Sequence, residues 1–331
     1  MVDHYADQYW NDLPTVLSYL CRRATGDASL WWMDYLKRKH ATPPRKRALV
    51  FACGTGWVER DLFDRGVAET FDAFDASSHY LAIAEKERAG RPISYSNSDF
   101  DEFVPRHKYD LIVNVAALHH VRYLFRMAHV LARALQPDGI FVHWEYVGPS
   151  RNQYSDRHLA VMQQINAGLP PRFRTRHPLR PDVATLLGGD PTEAIHAGDI
   201  RRALRNEFEM IEDHPLGGGI AYQILWNNLD EFRKGDDEAN TTLERLLELD
   251  QSLTERGLVP PLFAFMICRP RPRPHWTSFI DRLVREPARE TFAGFARGYY
   301  PGEAMRSSRL WRWAAGRAEA RSPVRIDLDL P

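Results

Sequence analysis

The chain has 331 residues, of which 44% are hydrophobic, so it can bury a full core. Its 44 Lys and Arg balance 44 Asp and Glu, which leaves no net field to recruit nucleic acid. The three cysteines, Cys21, Cys53 and Cys268, lie far apart in no metal-ligand spacing, which argues against a disulfide framework and a structural zinc site. We therefore expect a globular protein with no metal and with a small or neutral partner.

The sequence carries no sign of membrane insertion or export. No apolar run reaches the roughly 18 residues of a membrane span, and the N-terminal MVDHYADQYW has acids where a signal peptide needs a basic start. These features predict a soluble, cytoplasmic protein with no integral membrane segment.

Residues 1–45 read as a helical cap. Aromatic and aliphatic residues recur at helical spacing between Tyr9 and Tyr35, and the basic, proline-containing ATPPRKR closes the region. We expect two helices and a linker here.

From Ala48 onward, short apolar runs alternate with longer amphipathic ones, a pattern typical of βαβ units that build a parallel sheet. The predicted strands are Ala48–Ala52, Thr70–Asp75, Ile93–Ser96, Tyr109–Val115 and Gly139–Tyr146. The predicted helices are Val58–Arg65, His79–Arg88 and Val121–Leu135, and the QPDG at 136–139 is interpreted as the stop of the last one.

The alternation breaks between Gly148 and about residue 198, where a polar helix-like stretch and an Arg- and Pro-rich segment indicate a lid insertion. It then returns, with the remaining predicted elements being a helix near Asp199–Asn206, a strand near Phe208–His214, a helix through Leu243–Arg256 and a last strand at Leu262–Cys268. Residues 46–270 thus form one predicted domain. A basic, aromatic extension follows at 271–331, which could meet a membrane interface or a partner protein, or dock back on the domain.

The sharpest local signal is LVFACGTGW at 49–57, a buried strand that runs into Gly54 and Gly56 at the start of a helix. Glycines there let the backbone turn and approach a ligand, next to the free N–H groups of the helix. Glu59 stands where a dinucleotide fingerprint has its third glycine, which disfavours pyrophosphate binding. Asp75 ends the second strand about twenty residues later, where a carboxylate can accept both ribose hydroxyls. The glycine loop and Asp75 together predict a nucleoside site.

Five segments in this order, CGTG, FDAFDAS, NSDF, YDLIVNVAALHH and LQPDGIFVHWEYVGPSRNQ, resemble the class I S-adenosylmethionine-dependent methyltransferase family. ALHH and EYVGPSR resemble a bacterial subgroup of it. The resemblance covers roughly residues 5–270 and implies a doubly wound α/β, Rossmann-like domain with a mostly parallel seven-stranded sheet whose last strand is antiparallel. It also implies S-adenosyl-L-methionine as cofactor and S-adenosyl-L-homocysteine as product. One departure is Val50, which stands where many members carry an acid; Glu59, the aromatic N-terminus or a water could substitute.

Residue by residue, the resemblance implies that Asp75 holds the ribose, Asp99 accepts from the adenine amino group and Asn114 faces the methionyl end. The alternative for either aspartate is a helix cap, and for Tyr9 it is the core. The full set of implied cofactor contacts is Ala52, Cys53, Gly54, Gly56, Asp75, Ala76, Ser98, Asp99, Phe100, Asn114 and Tyr9.

Candidate catalytic residues follow the fourth and fifth strands, because open α/β sheets bind ligands beyond the carboxyl ends of their strands. They are His119, His120, Glu145 and Tyr146. We expect Glu145 to face the acceptor cavity with a raised pKa and to act as base, the alternative being an ion pair with Arg151 or His143. His120 is a second candidate base, or else a loop histidine against the lid.

Polar residues of the fifth-strand loop and the lid are candidate substrate ligands, namely Arg151, Asn152, Arg172 and Arg174. Such side chains clasp a sugar, a carboxylate or a phosphate, although arginine runs are more often solvated surface.

The favoured function is methyl transfer to oxygen, with nitrogen second, on a saccharide or a specialised metabolite in a biosynthetic role. Two alternatives stay open: an enzyme that cyclises the cofactor's aminocarboxypropyl arm and releases methylthioadenosine, and a catalytically silent cofactor-binding module. A homodimer or an assembly partner bound through residues 271–331 also stays open.

Overall fold

The structure is a computed structural model and describes residues 9–226 and 228–272. The predictions for residues 273–331, which make up nearly all of the C-terminal extension, lie outside the described residues, as do those for residues 1–8.

The N-terminal region holds the two predicted helices, α1 (Pro14–Thr25) and α2 (Trp32–His40), after a short 3-10 turn at Trp10–Asp12. Pro14 occupies the first position of α1, where its missing N–H costs nothing, and Gly26 ends the helix in the left-handed conformation. Helix α2 buries Trp32, Met33 and Leu36 completely, so this cap shares the core of the sheet domain.

Seven strands form one sheet in the order β3-β2-β1-β4-β5-β7-β6. The first five in that order pair in parallel, and β7 is antiparallel to both β5 and β6. The predicted doubly wound, mostly parallel sheet with an antiparallel last strand is confirmed. The strands are β1 (Arg45–Phe51), β2 (Ala68–Asp75), β3 (Ile93–Asn97), β4 (Tyr109–Val115), β5 (Leu135–Tyr146), β6 (Phe208–Gly217) and β7 (Phe263–Pro270).

Central strands are buried on both faces, which explains why their sequences are continuous apolar runs without alternation. In β1, the last four residues, Ala48 to Phe51, are all buried. Helices α3 (Trp57–Asp64), α4 (Ser78–Glu87), α5 (Leu124–Ala134) and α8 (Ile200–Glu207) connect the strands, close to the predicted bounds.

Four elements differ clearly from the prediction, each for a local reason. Strand β5 begins at Leu135, so the QPDG segment lies inside the strand, and a register shift between Tyr109 and Leu111 accommodates it. Helix α11 (Asp237–Glu255) begins six residues early because the Asp236 side chain caps it, accepting from the Ala239 N–H. The short helices α9 (Ala221–Trp226) and α10 (Leu229–Arg233) carry no periodic pattern long enough to predict them.

The insertion between β5 and α8, which the sequence analysis predicts to be a lid, contains no strand among its residues. It comprises α6 (Asp156–Gly168), α7 (Val183–Gly189) and 3-10 turns at Ser150–Asn152, Pro171–Phe173 and Ala197–Asp199. Within the described part of the chain, no helix combines the length and the apolar character needed to cross a membrane.

Candidate active site

The glycine loop lies where the strand order reverses, between β1 and β4, which is where open α/β sheets form a ligand crevice. Three of its residues, Ala52, Gly54 and Gly56, have positive φ angles of 49°, 55° and 79°. Gly56 is the N-cap of α3, and a Cβ there would lie 2.5 Å from the Tyr95 hydroxyl. Only glycine fits at this position, so the turn that exposes the N-terminus of α3 depends on it.

Asp75 anchors the loop from the end of β2. Its Oδ2 accepts a hydrogen bond from the Gly54 N–H at 2.9 Å, and its Oδ1 accepts from the Ser77 N–H at 2.7 Å. An ionised carboxylate offers about four lone-pair sites, so both oxygens keep capacity for two further donors. The half-buried carboxylate therefore fits the vicinal hydroxyls of a ribose.

The predicted adenine-side residues gather beside Asp75. The Asn97 side-chain amide donates to the carbonyls of Asp75 and Ala76, and the Ser98 N–H also donates to the Asp75 carbonyl. Asp99 is exposed next to them, and the Phe100 ring lies 6.0 Å and 6.2 Å, edge to face, from the rings of Phe51 and Phe74. The structure thus brings Ala76, Ser98, Asp99 and Phe100 to one edge, but their contacts with a nucleoside stay predictions.

Glu59 is completely buried on the side of Gly56 that faces Tyr95 and Ala84. Both of its carboxylate oxygens lack a well-formed hydrogen bond among the described residues. Burial accordingly raises the pKa of Glu59 to about 7. Val50, which stands where many family members carry an acid, is an ordinary core residue of β1 that is 1% exposed.

At the N-terminus, Tyr9 is 42% exposed and its ring lies 6.1 Å from that of Trp226 in α9. Trp10 is buried between Tyr222 and Phe263. The structure places Tyr9 against α9, and its predicted contact with the cofactor stays a prediction.

Glu145 is completely buried at the end of β5, and five donors surround its carboxylate. Oε2 accepts from the Asn114 side-chain amide at 2.8 Å, from the Leu118 N–H at 2.7 Å and from the Ala117 N–H at 3.2 Å. Oε1 accepts from the Tyr146 N–H at 2.6 Å and lies 2.6 Å from His119 Nδ1. The carboxylate is therefore held by the protein on both oxygens.

The expected raised pKa of Glu145 is wrong. Burial alone would raise it, but the charge and hydrogen bond of His119, with the amide of Asn114 and the N–H of Leu118, outweigh burial and lower the pKa. The ion-pair partner of Glu145 is His119, and it is neither Arg151 nor His143, the two alternatives that the sequence suggested. The backbone after β4 turns at Ala116, with φ 50°, and this turn directs the N–H groups of Ala117 and Leu118, at the start of the 3-10 turn Leu118–His120, toward Glu145.

His119 connects Glu145 to the lid. Its Nδ1 faces Glu145, while its Nε2 lies 3.8 Å from Oε2 of Glu193 in the lid. Burial alone would lower the pKa of His119, but the Glu145 carboxylate outweighs it and raises the pKa. The ring of Tyr146 lies edge-on, 6.1 Å away.

His120 packs beside His119, with ring centroids 4.1 Å apart. Its Nδ1 lies 3.1 Å from the Thr192 hydroxyl, and its Nε2 lies 3.8 Å from the same Glu193 oxygen that faces His119. The four candidate catalytic residues are thus brought together; their roles stay predictions.

The predicted substrate ligands make contacts within the protein. Arg151 donates to the carbonyls of Pro191 and Glu193, and both Arg151 and Asn152 have positive φ angles. Arg172 pairs with three carboxylates of the α10 to α11 region, Glu231, Asp236 and Glu238, and Arg174 donates to the Leu169 carbonyl. Arg151 therefore ties the fifth-strand loop to the lid, and the contacts of Arg172 lie with α10 and α11.

Two acidic residues with notable contacts, Glu193 and Asp250, were not predicted from the sequence. Glu193 lies in the irregular lid segment PTEAIH, where neither spacing nor periodicity marks a site residue. Asp250 is completely buried in α11 and accepts from the Tyr19 hydroxyl and from the N–H groups of Gly218, Ile220 and Ala221. A polar residue on the apolar face of α11 was the available signal for Asp250.

Residues 49–143 match the family model described as a methyltransferase domain. A malonyl-[acyl-carrier protein] O-methyltransferase of Halalkalibacterium halodurans is 30% identical over 111 residues. That match covers 32% of this chain and 41% of the relative, so it spans about two fifths of the relative's length.

Among solved structures, an S-adenosylmethionine-dependent methyltransferase from Mesorhizobium loti is similar at 21% identity, with a TM-score of 0.46 over 72% of this chain and 96% of that one. An O-methyltransferase of a trans-AT PKS multienzyme from Brevibacillus brevis, in complex with S-adenosyl-L-homocysteine, is similar at 14% identity, with a TM-score of 0.42 over 76% and 75%. On the family match and the sheet described above, residues 49–143 are a methyltransferase domain of the class I, S-adenosylmethionine-dependent family.

Proposed function

We propose that this chain transfers a methyl group from S-adenosylmethionine to a hydroxyl oxygen of a small-molecule or saccharide acceptor. The observation that carries the proposal is the 2.6 Å contact between His119 Nδ1 and Glu145 Oε1 at the strand ends beside the glycine loop. This contact supports the proposal because a histidine held by a carboxylate beside the predicted cofactor crevice is suited to act as a base.

The crevice residues fit the cofactor. Asp75 has spare lone pairs for ribose hydroxyls, and the positive φ angles of the loop expose the N-terminus of α3. Asn114, fully buried at the end of β4, lies between the crevice and Glu145 and donates to that carboxylate. When bound, the cofactor supplies a methyl group already activated by its sulfonium, so the protein has to align the acceptor and remove one proton.

We assign the removal of that proton to His119. The carboxylate of Glu145 accepts the Nδ1 proton, which fixes the tautomer and leaves the Nε2 lone pair directed toward the lid. Glu145 keeps its negative charge, because five donors stabilise it, and in turn stabilises the imidazolium after proton transfer. Glu145 is thus a positioning residue, and His119 is the proposed catalytic base.

The acceptor space we propose lies under the lid. There Glu193 Oε2 lies 3.8 Å from His119 Nε2, the Tyr146 ring lies edge-on to His119, and the Tyr154 hydroxyl accepts from Gln223 at 2.8 Å. Aromatic walls with a few polar groups suit a sugar or another compact polyol. The relative named as an O-methyltransferase supports oxygen as the acceptor atom.

The test is product analysis with the purified full chain and methyl-labelled cofactor, screened against sugars, nucleotide sugars and phenolic metabolites. Methyl transfer yields a labelled acceptor and S-adenosylhomocysteine in equal amounts. Methylthioadenosine would instead identify the cyclising enzyme, and cofactor binding without any product across the screen would favour a silent module. Either of those two results contradicts the proposal.

A further inference from the structure

We propose that His119, His120 and Glu193 form a binding site for one divalent transition-metal ion of the zinc class, which closes the lid onto the end of β4. The two histidines follow β4 directly, and Glu193 comes from the lid. One ligand atom from each residue lies within 4.8 Å of the other two, which no other triad of His, Cys, Asp and Glu among residues 9–226 and 228–272 achieves.

The distances match a coordination shell better than hydrogen bonds. Glu193 Oε2 lies 3.8 Å from Nε2 of His119 and 3.8 Å from Nε2 of His120. A hydrogen bond between nitrogen and oxygen is shorter, at about 2.7–3.2 Å. Ligands bound tetrahedrally to zinc at about 2.0–2.2 Å lie about 3.4 Å from one another. Glu193 Oε2 therefore needs to approach each histidine nitrogen by a few tenths of an ångström, and its side chain, which is 31% exposed, has room to do so.

Each imidazole is already oriented from its far side. Nδ1 of His119 lies 2.6 Å from the Glu145 carboxylate, and Nδ1 of His120 lies 3.1 Å from the Thr192 hydroxyl. The Thr192 hydroxyl itself donates to Asp190 at 2.6 Å, so its oxygen is the acceptor for His120. Metal-binding histidines are oriented in this way, with Nδ1 donating to a carboxylate or hydroxyl and Nε2 facing the metal.

The donor set selects the metal. Two imidazoles and one carboxylate suit zinc, cobalt, nickel or ferrous iron, whereas magnesium and calcium prefer oxygen ligands throughout. Three protein ligands leave a fourth position for water, and the partial exposure of His120 and Glu193 gives the ion a route from solvent.

One consequence rests on the proposed function. A metal ion on Nε2 of His119 would occupy the lone pair that takes the acceptor's proton, so bound metal should inhibit methyl transfer. The metal site is then inhibitory and takes no part in the chemical step, which needs no Lewis acid.

The experiment is a titration of the metal-free full chain with Zn²⁺, followed by competition against a chromophoric chelator, with Co²⁺ as a spectroscopic probe. We compare Glu193→Gln and His120→Gln with Glu248→Gln, which changes an exposed carboxylate on α11. We expect one zinc per chain, affinity reduced at least tenfold in both site variants and unchanged in Glu248→Gln, and tetrahedral cobalt absorption in the wild type.

The absence of saturable binding, or equal affinity in the wild type and both site variants, would overturn the site. Melting temperatures of the metal-free variants show whether a variant has lost a metal ligand or has lost its fold, and the partly exposed Glu193 gives the safer variant. The binding measurement needs neither cofactor nor acceptor, and turnover is measured separately in chelator. Zinc binding without methyl transfer therefore refutes the proposed function alone, and transfer without zinc binding refutes the metal site alone.

Discussion

Nδ1 of His119 lies 2.6 Å from Oε1 of Glu145, and this contact joins the turn after β4 to the end of β5. Both side chains are buried, so the charge on the carboxylate acts on the ring with little screening by water. If His119 is the base, His119→Gln should lower kcat by about 10²–10⁴. Affinity for S-adenosylhomocysteine should stay within about twofold, because no cofactor contact changes. His177→Gln, at an exposed lid position, is the control. Normal turnover in His119→Gln would remove it from the mechanism.

Glu145→Gln is expected to lower both stability and turnover. The glutamine amide would place an NH₂ group against N–H donors that now point at a carboxylate oxygen, from Leu118 and Ala117 or from Tyr146. Loss of these charge-assisted bonds should reduce the free energy of unfolding by about 2–4 kcal/mol. Chemical denaturation measures it, and kcat at a temperature where the variant stays folded measures the second effect. A variant as stable as the wild type would contradict the structure's account of Glu145.

The position of the predicted cofactor residues at one edge of the sheet was predictable from the sequence because strand ends fix it, whereas their contacts with the cofactor stay predictions. Gly54, Asp75 and Asn114 follow buried apolar runs, and parallel strands bring their carboxyl ends to one edge. The charge state of Glu145 was not predictable, because it depends on the N–H groups of Ala117 and Leu118, which the turn after β4 directs toward its carboxylate. Neither was Glu193, whose place opposite two histidines results from the path of the lid.

In the fold, likewise, elements with a clear sequence pattern were predictable, whereas contacts between distant parts of the chain were not. Long apolar runs gave β4 its bounds without error, whereas α9 and α10 are too short to show a period. The sequence has three consecutive glycines at 217–219, but Asp250, which accepts from the Gly218 N–H, lies some thirty residues away. A Cβ on Gly217 would lie 2.4 Å from Asp250 Oδ2, a constraint that only the packed structure reveals.

Asp75→Ala should weaken binding of S-adenosylhomocysteine by at least about 10–150-fold, because even one hydrogen bond to a carboxylate contributes about 1.5–3 kcal/mol. The variant also loses the bond from the Gly54 N–H, so the loop itself becomes less ordered. Calorimetry on the purified chain measures the affinity, with Asp138→Ala as a control at an exposed position on β5. Unchanged affinity in Asp75→Ala would refute the nucleoside site.

Glu212 on β6 should contribute stability that disappears in acid. Burial alone would raise its pKa, but hydrogen bonds from Tyr35, His214, Lys39 and His40 outweigh burial and lower the pKa from 4.5 to about 2. Because the folded state holds the proton less tightly than the unfolded state, this stabilisation is present above pH 4.5 and is lost as pH falls toward 2. Its size is up to about 3 kcal/mol.

Glu212→Gln tests this directly. The variant should be less stable than the wild type at pH 7, and the difference should shrink progressively below pH 4.5. Glu209→Gln, which changes an exposed residue of the same strand paired with Arg269, should follow the wild-type pH profile. A stability difference for Glu212→Gln that is independent of pH would mean that its charge is not the source of the stabilisation.

Glu59 should have the opposite pH dependence. Its carboxyl is buried beside Gly56 and Tyr95, and burial raises its pKa from 4.5 to about 7. Between these two values the folded state keeps a proton that the unfolded state releases, so stability falls as pH rises from 4.5 to 7 and then levels off. The shift corresponds to a penalty of about 3 kcal/mol above pH 7.

Glu59→Gln keeps the shape and removes the titration. It should match the wild type near pH 4.5, where both side chains are neutral, and should exceed it in free energy of unfolding by up to about 3 kcal/mol at pH 8. Denaturant titrations at the two pH values measure the difference, and Glu85→Gln, exposed on α4, is the matched control. If Glu59 instead took the place of the acid missing at Val50, the glutamine variant would lose affinity for the cofactor. Affinity that stays unchanged, together with the gain in stability at pH 8, would establish Glu59 as a buried, protonated support of the glycine loop.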